Sequence, residues 1–242
     1  SLDSASAEAT ATTNSTIRVP RNIRVLETNK VTVDYVTMTY YVRCVLPSEW
    51  IPSWGATTGG TNSLNAGAVA ARCYAIAKLN NVSSSSTYDI CGTTSCQVYN
   101  PANISSRTDT AAYFTDNYVV LSGGEIPSTE YSAENNSLGY TCGDGWTQPT
   151  GGCIFDPVCM GKTRSGHGRG MCQWGTYRWA IGTAGYPRRD WKWIVQHYYP
   201  TYTLVKGAPL LVGDTVRAME SVYVNMCDDG GITNGVNCTL LA

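Results

Sequence analysis

From residue 17 onward the chain runs through two apolar rhythms. Ile17-Arg18-Val19, Ile23-Arg24-Val25 and the stretch from Val31 to Cys44 cluster or alternate β-branched and tyrosine residues, which predicts two or three strands leading into Leu46-Pro47-Ser48-Glu49-Trp50. The period then changes. Leu64, Ala68, Ala71, Ala75 and Leu79 recur near helical spacing, Ser63 offers a cap and Asn80-Asn81 an end, so a helix is predicted whose alanine-rich face can approach a sheet closely. Tyr88 to Tyr99 reads as strand, tight turn and strand, with Cys91 and Cys96 spaced for a small disulfide loop. Thr108 or Asp109 caps a short helix through Ala111-Ala112-Tyr113, and Tyr118–Leu121, the turn Ser122-Gly123-Gly124-Glu125 and Ile126–Ala133 predict a hairpin. Two further helices follow, one over Gln173–Ala184 and one from an Asp190 cap with Trp191, Ile194, Val195 and Tyr198 on one stripe.

These elements predict an α+β fold, a mixed or antiparallel sheet with flanking helices. Residues 1–16 are small and polar and read as a flexible arm; residues 17–203 read as one domain, with an irregular Cys/Gly-rich insertion at 135–164. Residues 204–242 return to short strands and read as a C-terminal extension packed on that domain.

Composition narrows the partners. Only 14% of residues are charged and the net charge is −1, which leaves no electrostatic footprint for nucleic acid. No apolar run reaches the roughly eighteen residues of a membrane span. Ten cysteines among only two histidines point to a disulfide-stapled protein of an oxidising compartment, secreted, periplasmic or cell-wall associated. Tyrosines (16) and tryptophans (7) far outnumber phenylalanines (2), so rings with a polar tip, suited to stacking on sugars while bonding their hydroxyls, are plentiful.

Two segments carry chemistry. Glu49 stands beside Trp50 at the end of an apolar run, and a carboxylate against apolar surface loses solvation of its charged form, so its pKa should rise toward the range of a general acid. Glu49 is thus the first candidate for catalysis. In Ser165-Gly166-His167-Gly168-Arg169-Gly170-Met171-Cys172-Gln173-Trp174-Gly175, glycines bracket a histidine just before a helix, where bare backbone and free N–H groups suit an oxygen-rich ligand. His167 could bond a sugar or orient Glu49.

Leu46–Trp50, the Ala68–Ala75 helix, Thr93-Thr94-Ser95-Cys96-Gln97-Val98-Tyr99, Tyr131-Ser132-Ala133, the Gly166–Gly175 run and His197-Tyr198-Tyr199-Pro200 occur in the order found in the stage II sporulation protein D (SpoIID) and amidase-enhancer family, which residues 17–203 resemble. The resemblance implies an open glycan-binding groove and a lytic transglycosylase cleaving the MurNAc-GlcNAc β-1,4 bond of peptide-free peptidoglycan strands, leaving 1,6-anhydroMurNAc ends. It assigns Glu49 as acid and then base, with Arg72, Gln97, Tyr131, Ser132, His167 and Gln173 lining the cleft; Trp50, which raises the Glu49 pKa, and Trp174 are expected as further substrate contacts. Arg72 could equally be a structural partner. The family's Ser/Gly-rich run is replaced here by Ala133-Glu134-Asn135-Asn136, so Glu134 is either a second carboxylate at the cleft, permitting hydrolysis of another polysaccharide, or a solvated loop charge. Relatives that enhance cell-wall amidases imply a further alternative, a non-catalytic peptidoglycan binder that recruits an amidase. No metal and no cofactor are expected, because no histidine lies near Cys91 and Cys96. Cys44 with Cys73, Cys91 with Cys96 and Cys227 with Cys238 are the expected pairs, although spacing alone leaves connectivity open.

Overall fold

The computed structural model describes residues 17–143, 152–183 and 185–210, so the N-terminal arm, part of the insertion, most of the C-terminal extension and the Cys227/Cys238 pair lie outside the described residues. The fold is α+β, and the described residues form five α-helices and four small sheets of two or three strands. Strand β1 (Arg18–Val19) precedes β2 (Asn22–Leu26) and β3 (Val33–Thr37), and β2 pairs antiparallel with β3.

The stretch expected to continue as strand turns helical instead. Helix α1 spans Met38–Glu49, so Glu49 ends a helix rather than a strand. The reason is visible in the residues: Met38, Tyr41, Val42, Val45 and Leu46 are buried at the i, i+3, i+4, i+7, i+8 spacing of one helix face, which outweighs their β-prone side chains. Thr37 caps the start, its hydroxyl accepting the Tyr40 N–H at 3.2 Å. Pro47 lacks the N–H that would donate back to the Arg43 carbonyl, and the helix stops two residues later. Its free carbonyl accepts Asn103 Nδ2 at 3.1 Å.

Helix α2 (Thr61–Asn81) is the centre of the molecule, and α1, α3 (Ser106–Phe114), α4 (Gln173–Ile181) and α5 (Trp191–Tyr198) pack around it. It is buried on nearly every side because alanine and glycine let neighbours come close. Ser63 is not its cap but sits inside its first turn, where its hydroxyl lies 2.6 Å from Thr176 Oγ1.

Of the segment around Cys91, only β4 (Ile90–Cys91) is strand, and it joins β2 in parallel; Gln97–Tyr99 is irregular backbone. The hairpin after Leu121 also fails to form. β5 (Tyr118–Leu121) pairs antiparallel with β8 (Thr203–Lys206), although the Ser122–Glu125 turn is present. Pro127, next to the turn, has no N–H for a returning ladder. Instead β6 (Tyr131–Ser132) runs parallel with β7 (Met171–Cys172), and β9 (Ala208–Pro209) joins β1 in parallel.

Disulfides link Cys91 to Cys96 and Cys142 to Cys153. The expected Cys44–Cys73 bond is absent. Both are buried free thiols facing different neighbours: Cys44 bonds Tyr40 and Tyr99, and Cys73 Sγ accepts the Val120 N–H at 3.3 Å. Burial pushes each thiol up to about 11, which keeps it protonated and unreactive at neutral pH.

A carboxylate held between three segments

Glu49, the last residue of α1, is partly buried, and its two oxygens are held by segments far apart in sequence. Oε1 accepts the Val98 N–H at 2.9 Å, and Oε2 accepts Gln173 Nε2 at 3.4 Å. Burial raises the carboxyl pKa, and the two hydrogen bonds draw part of that rise back. The group is therefore an acid that stays protonated above the usual glutamate range.

Each partner is positioned for a local reason. The Cys91–Cys96 disulfide closes the turn just before Gln97 and Val98, which presents the Val98 N–H to Glu49. The β6–β7 pairing sets Tyr131 opposite Met171, two residues before Gln173. Gln97, fully buried, is the hub between them: it accepts Tyr41 Oη at 2.7 Å, and its Nε2 donates to Tyr131 Oη at 2.8 Å and to Ala71 O at 3.2 Å. Burial first, and then the Glu49 charge, raises the phenols of Tyr41 and Tyr131. Both stay neutral and can only share hydrogen bonds, not accept a proton.

Trp50 is 1% exposed and leaves no surface for a ligand. Its Nε1 donates to Thr176 Oγ1 at 3.1 Å, its ring lies 5.0 Å from that of Tyr131, and it rests on Gly67 of α2. Arg72 is likewise interior: its guanidinium donates to the carbonyls of Tyr118 and Ala112, which ties α2 to β5 and α3, and burial lowers its pKa. Ser132 is buried beside Glu134 O. Gln173 is buried at the start of α4, whereas Trp174 is exposed, at edge-on distance (4.8 Å) from Trp54.

Glu134 is not the solvated loop charge of the second alternative. It is buried, and both of its oxygens take donors from Arg178. Its carboxylate is held in an ion pair with Arg178. His167 is exposed, with Nδ1 accepting the Arg169 N–H at 3.0 Å inside its own loop; partial desolvation and the neighbouring Arg169 lower its pKa. The groups that orient Glu49 are Val98 and Gln173. Two of the amides at the start of α4 are also engaged, Trp174 N–H by Ala133 O and Gly175 N–H by Cys172 Sγ.

Several contributors were not foreseen. Tyr41 lies two helical turns before Glu49 and can be connected with it only once α1 is read as a helix. The backbone N–H of Val98 leaves no side-chain signal. Thr176, Trp54, Tyr177 and Arg178 follow from the helical spacing of α4 and its packing on the turn Pro52–Ala56, which the sequence pattern did not pair. A cavity of about 320 Å³ is lined by Ile17, Arg18, Pro20, Ile76, Asn80, Gly124, Glu125 and Ile126. None of these belongs to the Glu49 cluster, and an open groove beside Glu49 is not defined among the described residues.

Residues 27–121, which hold α1, α2, Glu49 and the Gln97–Val98 turn, match the family model described as stage II sporulation protein, SpoIID. Over that stretch the chain is similar to SpoIID-family proteins. The description of that family links the similarity to sporulation. No curated protein matches the chain. The SpoIID match ends before Tyr131, so Tyr131 and Gln173 join the site through the fold and not through the matched segment. No helix among the described residues is long and apolar enough to cross a membrane.

Proposed function

We propose that this protein is a lytic transglycosylase of peptidoglycan that cuts the MurNAc-GlcNAc β-1,4 bond of peptide-free strands, with Glu49 as its single acid and base. The observation that carries this reading is one half-buried carboxylate of raised pKa on which three segments converge, while Glu134 is neutralised by Arg178. A hydrolase of the usual kind needs two carboxyl groups about 5–9.5 Å apart, one for the leaving oxygen and one for water or the anomeric carbon. A lytic enzyme needs one.

In this mechanism protonated Glu49 gives its proton to the glycosidic oxygen as the C1–O bond breaks. The resulting carboxylate, stabilised by the Val98 N–H and the Gln173 amide, takes the proton of the muramic acid 6-hydroxyl as that oxygen closes on C1. Atoms balance without water, and Glu49 ends protonated again. Gln97 and Tyr131 are positioning residues behind it, and exposed Trp174 offers a face for a sugar ring. Two disulfides support work in an oxidising, extracellular setting.

The test is release of soluble fragments from stem-peptide-free peptidoglycan by the wild type and by Glu49→Gln. Release by the wild type alone supports the assignment. Equal release by both would remove Glu49 from the chemistry, and tight binding without release by either would make the chain a glycan binder.

A further inference from the structure

Cys159 closes the turn Pro157–Cys159, and Cys172 caps α4 one residue before Gln173. Both are buried, and their sulfurs lie within 4.8 Å of one another and of a Glu134 oxygen. They meet around Gly175, where a Cβ would stand 2.7 Å from Cys159 Sγ and whose N–H already donates to Cys172 Sγ at 3.2 Å.

We propose that Cys159 and Cys172 are a cross-linking site and form a disulfide in the oxidised protein. One S–S bond replaces two S–H bonds; two protons and two electrons pass to an external disulfide, which is reduced to two thiols. Because both groups are buried in the finished fold, the exchange belongs to the folding chain.

The surroundings fit a neutral disulfide. Losing the thiol protons orphans no acceptor: Asp156, which accepts from Cys159 at 3.0 Å, keeps Trp179 Nε1 and Tyr198 Oη, and Glu134, which accepts from Cys172 at 3.4 Å, keeps Arg178. The same arrangement disfavours a metal ion on Glu134, Cys159 and Cys172. The Arg178 guanidinium occupies both Glu134 oxygens and sits 3.6 Å from Cys159 Sγ, where a cation would meet its charge. The bond would close the loop that carries His167 onto the helix start that presents Gln173 to Glu49.

The test uses the full chain, secreted and purified without reductant, then unfolded in N-ethylmaleimide and cut with trypsin. Lys162, Arg164 and Arg169 lie between the two cysteines, so they part into separate peptides. The expected result is a linked pair of peptides that separates on reduction, with almost no alkylation of Cys159 or Cys172 beforehand. In Cys159→Ala, Cys172 should become fully alkylated, and the reciprocal Cys172→Ala gives the same reading at Cys159 if the first variant fails to fold. Alkylation of both in the unreduced wild type overturns the proposal, as does joining of either to another cysteine. Retention of one zinc per chain with both thiols unpaired would overturn it in favour of a metal site.

Discussion

Replacing Gly67 by alanine sets two effects of opposite sign against each other. A glycine inside a helix costs about 1 kcal/mol relative to alanine, so propensity alone would make Gly67→Ala stabilising. The new Cβ, however, would stand 2.5 Å from both Cδ2 and Cε2 of Trp50 and 3.0 Å from Cε3. Carbon atoms rest about 3.5–4.0 Å apart, so the indole would have to retreat by about 1 Å. It has little freedom to do so, being 1% exposed, bonded through Nε1 to Thr176 and packed on Tyr131. Overpacking of a filled core costs about 1–3 kcal/mol, and a ring fixed on three sides belongs in the upper half of that range. The net loss is about 1–2 kcal/mol, a fall in Tm of about 2–8 °C for a chain of this size. Scanning calorimetry together with near-ultraviolet circular dichroism would follow both the melting and the Trp50 environment. In a Trp50→Leu background, which clears the fused ring, the same glycine change should become neutral or stabilising. A Gly67→Ala protein that melts at or above the wild type would refute the placement of Trp50 on α2, and with it the packing that brings Glu49 beside Tyr131 and Gln173.

Other consequences follow from the same contacts. Removing Arg178 leaves Glu134 buried and unpaired, so Arg178→Ala should lose about 3–5 kcal/mol and about 6–20 °C of Tm, with partial recovery in the double variant with Glu134→Gln, read by thermal melts. Cys91→Ser with Cys96→Ser opens a six-residue loop, which costs about 2 kcal/mol by loop entropy; glycan cleavage should fall further than stability accounts for, because the same turn presents the Val98 N–H. The Glu49 pKa is raised, mainly by burial, so its protonated form is favoured in the folded state. Its contribution to stability is then greatest below the unfolded pKa and is lost as pH rises through the folded one. Glu49→Gln should therefore melt at or above the wild type at pH 7 and converge with it in acid, while wild-type cleavage should decline as pH rises through that same elevated pKa.

Much of the fold was legible because the apolar spacing was long and regular. The α2 pattern from Leu64 to Leu79 and the Asp190 cap of α5 both stand, the latter with the Asp190 carboxylate accepting the Trp193 N–H at 2.9 Å. The α1 segment misled because its buried face is built from valine and tyrosine, whose local preference is for strands, and only the 38, 41, 42, 45, 46 spacing betrays the helix. The hairpin failed for a tertiary reason: β5 finds its partner more than eighty residues later in β8, a choice no local window contains. At the site, the sequence could name the side chains Glu49, Gln97, Tyr131 and Gln173. It could not reveal that Trp50 and Arg72 face inward, that a main-chain N–H holds the acid, or that Arg178 engages Glu134, since each depends on how distant segments meet.

The account turns on one carboxylate acting without water. Stem-peptide-free glycan strands incubated with the wild type and with Glu49→Gln in water enriched in heavy oxygen, followed by mass analysis of the product ends, test this most directly. The account predicts 1,6-anhydro ends from the wild type, free of heavy oxygen, and intact strands from the variant. Reducing ends that carry heavy oxygen, or unchanged cleavage by Glu49→Gln, would contradict it.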